Sequence, residues 1–417
     1  MVTIPLLNIS LVQALLGIGV LASIWYYLTA LYSAREFFRW AARQRAAAAD
    51  PDDAPPGVTV LKPLKGLDVH LYENLATFCR QDYRGRFQLI CGVADPADAA
   101  APVVRQLQRD FPGVDIELVI DGHLYGTNYK ISNLHNMYRH ANHDLIVIAD
   151  SDIRVQPDYL RRVVAPLRDP NVGMVSCLYK AVRAGGTPTA LESLFINTDF
   201  ATMVMVARKV EKPSYAFGAT MAMRRETLDA IGGILAVSNY LADDYYLGHL
   251  ISRRGLRLVL SDVIVETVLD VGSWTRLLQH QIRWARTYRT VRPGGYFGSV
   301  LTHGTLWAVL TLLYYGFSPA SVVVAAGVIG LRIAAAALMC FRYLSTDNTR
   351  AQMLLVPLKD LFVSTVWLAA FLGNRVKWSG HDFRVLNGGE MVHLTPPLPA
   401  WQKPPLLKPT RSAHDSV

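Results

Sequence analysis

Two carboxylates separated by one residue, Asp150 and Asp152, stand where a run of five apolar residues, Leu145 to Ala149, stops. Three of the five are β-branched, so the run reads as a strand buried on both faces. A parallel strand presents groups to a ligand at its carboxyl end. There both carboxylates can turn toward one divalent cation; Mg²⁺ and Mn²⁺ prefer oxygen ligands and leave places for phosphates. The pattern fits a metal–diphosphate site, although a D-x-D also occurs in plain solvated loops.

A second acidic pair, Asp243-Asp244, follows Gly232-Gly233 and opens a predicted helix. A helix N-terminus favours the carboxylate anion. That placement predicts a general base, ionised at neutral pH and acting by hydrogen bond. Asp is also a preferred helix cap, so one of the two can be only that. Arg283-Trp284 lies on an amphipathic stretch, Trp274 to Thr290, that also carries Arg276, Arg286 and Arg289. Arginine clamps a diphosphate bidentately, and Trp offers an apolar wall. The competing reading is an interfacial helix with snorkelling side chains. Lys130 and Asn133 precede the Leu145 strand and can reach a nucleotide or simply face solvent. Asp68 and Asp95 follow predicted strands, where they can meet uridine or ribose or merely shape turns. His135, His140, His143 and His249 show no metal-ligand spacing.

These residues need a scaffold. Short strands are predicted at Val58 to Leu61, Phe87 to Val93, Ile116 to Ile120 and Val172 to Leu178. Helical periods lie between the early ones, at Leu71 to Gln81, Pro102 to Asp110 and Asn128 to His140. Alternating strands and helices imply right-handed βαβ units and a mostly parallel sheet. Ala190 to Val210 reads as an apolar helix and Phe217 to Met223 as a strand. The pattern from Tyr245 to Leu256 is helical, and Leu256 to Leu260 and Val263 to Val268 read as two strands.

The ends differ in character. Leu6 to Ala34 holds no charge and is long enough to cross a bilayer, which takes about 20 residues. Arg35, Arg39, Arg43 and Arg45 follow it, placing that flank in the cytoplasm under the positive-inside rule. Ala46 to Gly57 is a linker. Val300 to Phe317 and Ala320 to Phe341 read as a transmembrane hairpin, with Arg332 facing protein or snorkelling. Met353 to Gly373, which contains Pro357, Lys359 and Asp360, spans or re-enters. The proline-rich tail from Pro396 onward reads as poorly ordered. The chain has 417 residues, 51% of them hydrophobic, and a net charge of +9. Such a charge admits nucleic acid, but no zinc-finger spacing or RNP-type aromatic pattern is present, so nucleic acid is not expected as a partner. Cys79, Cys91, Cys177 and Cys340 lack C-x-x-C spacing and read as reduced.

In order along the chain, these motifs resemble glycosyltransferase families 2 and 21: Asp68, then Asp150 with Asp152, then Asp243-Asp244, then Arg283-Trp284. The stretches Lys62 to Asp68, Lys130 to Leu134, Asp150 to Val155 and Ala242 to Tyr245 look like the ceramide glucosyltransferase group. Leu194 to Asn197, Ala216 to Thr220, Arg283 to Thr287 and Val291 to Pro293 are most similar to the bacterial hopanoid-associated glycosyltransferases. The resemblance implies an α/β GT-A fold, Rossmann-like with a mostly parallel sheet, between N- and C-terminal transmembrane helices. It implies a UDP-sugar donor, Mg²⁺ or Mn²⁺ at Asp150 and Asp152, Asp244 as base, inversion, and a lipid acceptor at the membrane, hopanoid or ceramide. The donor contacts it implies are Asp68, Asp95, Lys130, Asn133, Asp150, Arg283 and Trp284. Segments are expected at 1–34 (transmembrane), 35–57 (basic linker), 58–270 (catalytic), 271–298 (interfacial), 299–373 (transmembrane or re-entrant) and 374–417 (cytosolic tail). The setting implied is multi-pass in the inner membrane, with the catalytic domain in the cytoplasm. His280 stands where the (Q/R)-x-x-R-W pattern begins, which argues against a processive polysaccharide synthase, one alternative. A non-catalytic nucleotide-sugar-binding protein is the other.

Overall fold

The computed structural model describes residues 10–47, 55–183 and 185–394. Most of the expected linker and the proline-rich tail lie outside the described residues. Helix α1 (Leu11–Ala47) runs unbroken for 37 residues from the apolar end into the arginine-rich flank.

Between residues 58 and 269 the chain builds one eight-stranded sheet. Its members are β1 (Val58–Pro63), β2 (Phe87–Val93), β3 (Asp115–Ile120), β4 (Leu145–Ile148), β5 (Ile153–Arg154), β6 (Val172–Arg183), β7 (Met221–Arg224) and β8 (Arg257–Leu269). Their order is β3-β2-β1-β4-β7-β6-β8-β5. Strands β1 to β4 run parallel, as do β6 and β8; β7 and β5 pair antiparallel with their neighbours. The expected parallel sheet is therefore present, and β4 lies at its centre, fully buried. Helices α2 (Leu71–Cys79) and α3 (Ala100–Asp110) pack on one face with Val58 and Val60, while α4 (Tyr129–Tyr138) packs on the other with Leu61 and Ile90. Alternate residues of one strand thus feed two cores.

Four elements depart from the expected outlines. Phe217 to Thr220 forms a turn closed by a single bridge, and only Met221–Arg224 joins the sheet. The two strands expected after Leu256 are one, β8, paired with β6 along its whole length through two register shifts. The helix expected at Ala190 to Val210 is three pieces: α5 (Thr187–Leu194), a π-turn at Phe195–Phe200, and α6 (Ala201–Val210). Finally, residues expected to be plain tail fold into a three-stranded antiparallel sheet of β9 (Arg375–Trp378), β10 (His381–Val385) and β11 (Met391–His393).

Among the described residues, four helical stretches are long and apolar enough to cross a membrane: Leu11–Arg45, Thr187–Val210, Pro319–Tyr343 and Arg350–Leu372. Thr187–Val210 is 67% buried against 28–33% for the others, so it belongs to the protein interior. Its Asn197 shows why: the side-chain amide donates to Ala181 O at 3.2 Å while its oxygen accepts from Ala181 N at 2.8 Å, docking the π-turn against β6. The first arm of the expected hairpin is bent by 55° between Pro293–Thr302 and Gly304–Tyr314. Arg332 faces protein, as one of the two sequence readings had it, and is 2% exposed.

Candidate active site

The ends of β1 and β4 bring the first group together. Lys62, fully buried in β1, donates from Nζ to Asp150 O at 2.5 Å and lies 4.1 Å from the centroid of the Phe78 ring. It thereby fixes the turn that follows β4. Burial lowers its pKa to about 8, against the pull of Asp152 and Asp150. Ser151 Oγ donates to Asp68 Oδ2, which joins the loop after β1 to the D-x-D. Asp152 Oδ2 accepts from Thr267 Oγ1 of β8 at 2.6 Å. Burial, and then the nearby Asp150, raise the Asp152 pKa to about 6.

The second group comes from α4 and from α7 (Asp243–Arg253), with the turn before β7 between them. Asn128 caps α4 by accepting from Ile131 N, and its amide donates to Tyr240 O at 2.8 Å in the loop ahead of α7. Lys130, two residues on, reaches Asp150 Oδ1 at 2.6 Å and Asp243 Oδ2 at 3.4 Å. Burial works to lower its pKa, but Asp150 and Asp243 outweigh burial and the net shift is upward. Asp244 Oδ2 accepts from Gly218 N at 2.9 Å and Oδ1 from Tyr245 N at 2.7 Å. Gly218 is the hinge of the whole set. A methyl built on it would lie 3.0 Å from Asp150 Oδ2, 3.4 Å from Lys130 Nζ and 3.6 Å from Asp244 Oδ2. The two acidic motifs therefore share one small space.

Asp244 is a weaker acid than a helix terminus alone would make it, yet it still ionises below neutral pH, as the sequence reading has it. Burial first, and Asp243 second, push its pKa up to about 6, more than the hydrogen bonds and Lys130 pull it down. Desolvation beats the helix terminus because the carboxylate sits beneath the surface. The cap reading fails in its simple form: Ala242 occupies the cap position of α7 without a side-chain bond.

Helix α8 (Trp274–Val291), capped by Ser273, carries Arg283 and Trp284. The Arg283 guanidinium has no hydrogen-bond or ion-pair partner among the described residues. Burial lowers its pKa, with Glu192 and more distantly Asp150 opposing the shift. Trp284 packs edge-on to His280, ring centroids 4.6 Å apart, and against the cluster that contains Phe200. The small C-terminal sheet braces this side: Leu241 N donates to Gly389 O, Met391 N to Asn239 O, and Lys65 Nζ to Ser379 O at 2.6 Å.

Two sequence candidates stand apart. Asn133 is buried, and its amide donates to Gly92 O at 2.8 Å and Leu64 O at 3.5 Å. It ties the ends of β1 and β2 instead of reaching the acids. Asp95 accepts from Ala97 N within its own turn and touches none of the other acids. Sequence reasoning included Lys62 and Gly218 only within longer matching stretches, without a role for either, and passed over Glu192. A lysine closing an apolar strand, and a glycine beside Phe217 ahead of a small-residue run, were the available signals for the first two.

The donor set at Asp150 and Asp152 is oxygen only, and Asp150 Oδ2 makes no hydrogen bond among the described residues. That chemistry fits Mg²⁺ or Mn²⁺. No group of three or more metal-ligating side chains occurs among the described residues. A cation held here would take its remaining ligands from phosphate and water.

The profile of glycosyl transferase family 21 matches residues 15–391, and the chain belongs to that family. Its sheet, with the D-x-D after the central strand, is the GT-A fold expected from the sequence. The chain is 30% identical to ceramide glucosyltransferase 1 of Caenorhabditis elegans over 239 residues, covering 55% of this chain and 51% of that protein. It is 32% identical to a ceramide glucosyltransferase of Gibberella zeae over 155 residues, 35% of this chain and 29% of that protein. The chain thus spans about half the length, or less, of these curated relatives. A solved mannosyltransferase of Pyrobaculum calidifontis, in complex with GDP-Man and Mn²⁺, is 22% identical, with a TM-score of 0.48 over 86% of this chain and 98% of that one.

Proposed function

We propose that the chain is a membrane-bound, inverting hexosyltransferase that moves a sugar from a UDP-sugar to a lipid hydroxyl. The observation that carries this reading is the shared space at Gly218, where Asp150, Lys130 and Asp244 meet. One end suits a diphosphate and its cation, and the other suits an acceptor hydroxyl. Asp150 and Asp152 would hold Mg²⁺ or Mn²⁺, which neutralises the leaving diphosphate. Lys130 and Arg283 supply further positive charge there. Asp244 takes the proton of the acceptor hydroxyl. That oxygen bonds to the anomeric carbon as the bond from that carbon to the diphosphate oxygen breaks, and UDP leaves with the electron pair. Attack opposite the leaving group inverts the centre. Asp68 lies on the donor side through Ser151.

The curated relatives are ceramide glucosyltransferases, which supports a sphingoid acceptor with glucose; a hopanoid polyol with N-acetylglucosamine is the other lipid that the motifs suggest. In this reading residues 58–270 form the catalytic domain, 271–298 lie at the interface, and the spans on either side anchor it. The arginines at 35–45 support an orientation with that domain on the cytoplasmic face of the inner membrane. The test is incubation of membranes containing the protein with UDP-glucose or UDP-N-acetylglucosamine, ceramide or bacteriohopanetetrol, and Mn²⁺ or Mg²⁺. A glycolipid that vanishes in Asp244→Asn is the expected product. UDP-sugar binding without transfer to either lipid would overturn the reading.

A further inference from the structure

Glu192 is a carboxylate with 0% of its side chain exposed, on the α5 part of a segment apolar enough to cross a membrane. A buried charge is costly unless it is engaged. Both oxygens of Glu192 face α8. Gln281 Nε2 donates to Oε2 at 2.7 Å, and His280 Nδ1 lies 2.7 Å from Oε1 in a contact that lacks hydrogen-bond geometry, so Oε1 has no hydrogen-bond partner among the described residues. His280 and Gln281 precede Arg283-Trp284 on the same helix, with Ile282 between them. Residues three and four apart on a helix share a face, so fixing position 280 fixes the face that carries 283 and 284. The 4.6 Å contact of the His280 and Trp284 rings transmits that constraint.

Arg283, meanwhile, pairs with nothing in the described protein. A half-buried guanidinium left without a partner costs free energy unless something keeps it charged and something else awaits it. Glu192 is the foremost charge supporting its ionised form, and Asp150 also lies within electrostatic reach. The carboxylate is thus near enough to stabilise the cation but is itself occupied by His280 and Gln281. The guanidinium stays free to bind an anion.

We propose that Glu192 is a positioning residue: by holding His280 and Gln281 it sets Arg283 against the diphosphate of the donor. This rests on the donor reading given above. It also accounts for His280 where Gln or Arg begins the motif, since an imidazole can serve a buried carboxylate.

The test is calorimetric binding of UDP and of uridine to the full chain in nanodiscs with Mn²⁺. Arg283→Ala should weaken UDP binding roughly 10- to 100-fold, the range for hydrogen bonds between charged groups. Glu192→Ala should weaken it about 10-fold, and the double variant should bind no more weakly than Arg283→Ala alone. Uridine, which lacks the diphosphate, should bind all forms equally. Glu192→Gln, which keeps the shape and one hydrogen bond, should recover part of the loss and serves if the alanine variant fails to fold. Additive losses, or equal losses for uridine and UDP, would overturn the proposal alone. A wild-type chain that binds neither UDP nor uridine would overturn the donor reading and this inference with it.

Discussion

Lys130 Nζ stands 2.6 Å from Asp150 Oδ1 and 3.4 Å from Asp243 Oδ2, one ammonium serving a carboxylate from each acidic motif. Asp150, Asp243 and Asp244 would repel one another without it. Replacing Lys130 with Met should lower stability by about 1.5–3 kcal/mol, nearer the low end because the Asp150 side chain is 36% exposed and water screens it. The base should also change: without the ammonium, the Asp244 pKa rises, so the pH at which activity appears moves up. Lys130→Arg should keep both properties. Thermal melts and pH–rate profiles of the three forms check this; a Met variant with an unmoved profile would separate Lys130 from the base.

The pH dependence has a definite sign. Asp152 and Asp244 each ionise near pH 6 in the folded chain, both chiefly because burial disfavours the anion, against an ordinary 3.8. Between those values the folded state holds more protons than the unfolded one, so stability falls as pH rises from about 4 to about 6 and is level above that. Activity runs the other way. Asp244 must be ionised to accept a proton, so kcat/KM should climb through about pH 6 toward a plateau. In Asp244→Asn the climb should vanish with the activity, and the fall in melting temperature between pH 4 and 6 should shrink. A pH–rate profile that is flat from 5 to 7 would remove Asp244 from the base's role.

Much of this site was legible because its positions follow from strong local rules. A β-branched apolar run ending in Asp150 admits little besides a central strand with carboxylates at its exit. The parallel order followed from helical periods between strands. What was hidden depends on contacts distant in sequence. Asp152 reads like a twin of Asp150, yet Thr267, more than a hundred residues on, holds one of its oxygens. Asn133 reads as a polar helix residue, yet the carbonyls of Leu64 and Gly92 claim its amide. The broken helix around Phe195–Phe200 arises because Asn197 is drawn to the backbone of Ala181, a pull that no periodicity reveals. The small sheet at 375–393 has short strands with alternate exposed residues, whose pattern is too weak to stand out.

Gly218 gives a sharp test of the shared space. Its constraint is contact and not backbone conformation, since it is absent from the glycines with positive φ. A methyl there would lie 3.0 Å from Asp150 Oδ2 and within 3.6 Å of Lys130 Nζ and Asp244 Oδ2. Flexible side chains can yield by a few tenths of an ångström, so Gly218→Ala should fold. The yielding groups are those proposed to act on substrate, and misplacement on the ångström scale costs on the order of 100-fold in rate. The expected result is a melting temperature within a few degrees of wild type and kcat/KM down by about that factor. Near-normal turnover would mean that the acids do not act across this gap.

The membrane half holds a closed set of charges. Arg332, 2% exposed, meets Asp360 through Nε and Nη2, both at 3.0 Å, and Asp199 through Nη2 at 2.6 Å. Lys359, fully buried, pairs with Asp360 at 2.8 Å and with Asp199, and Thr305 donates to Asp360 at 2.8 Å. Two cations and two anions cancel, which is what a low-dielectric setting requires. Asp199 belongs to the π-turn behind the sheet, whereas Arg332 and Asp360 belong to the later apolar helices, so the set couples those helices to the part of the chain that carries the sheet. Removing one member leaves an unpaired buried charge and typically costs about 3–5 kcal/mol. Asp360→Ala should therefore lower the melting temperature strongly in detergent or nanodiscs. Converting both partners, Asp360→Leu with Arg332→Met, should recover much of the loss, because a neutral apolar pair leaves fewer charges uncompensated. If the double variant melts no higher than Asp360→Ala, the set owes its stability to specific geometry and not to charge balance.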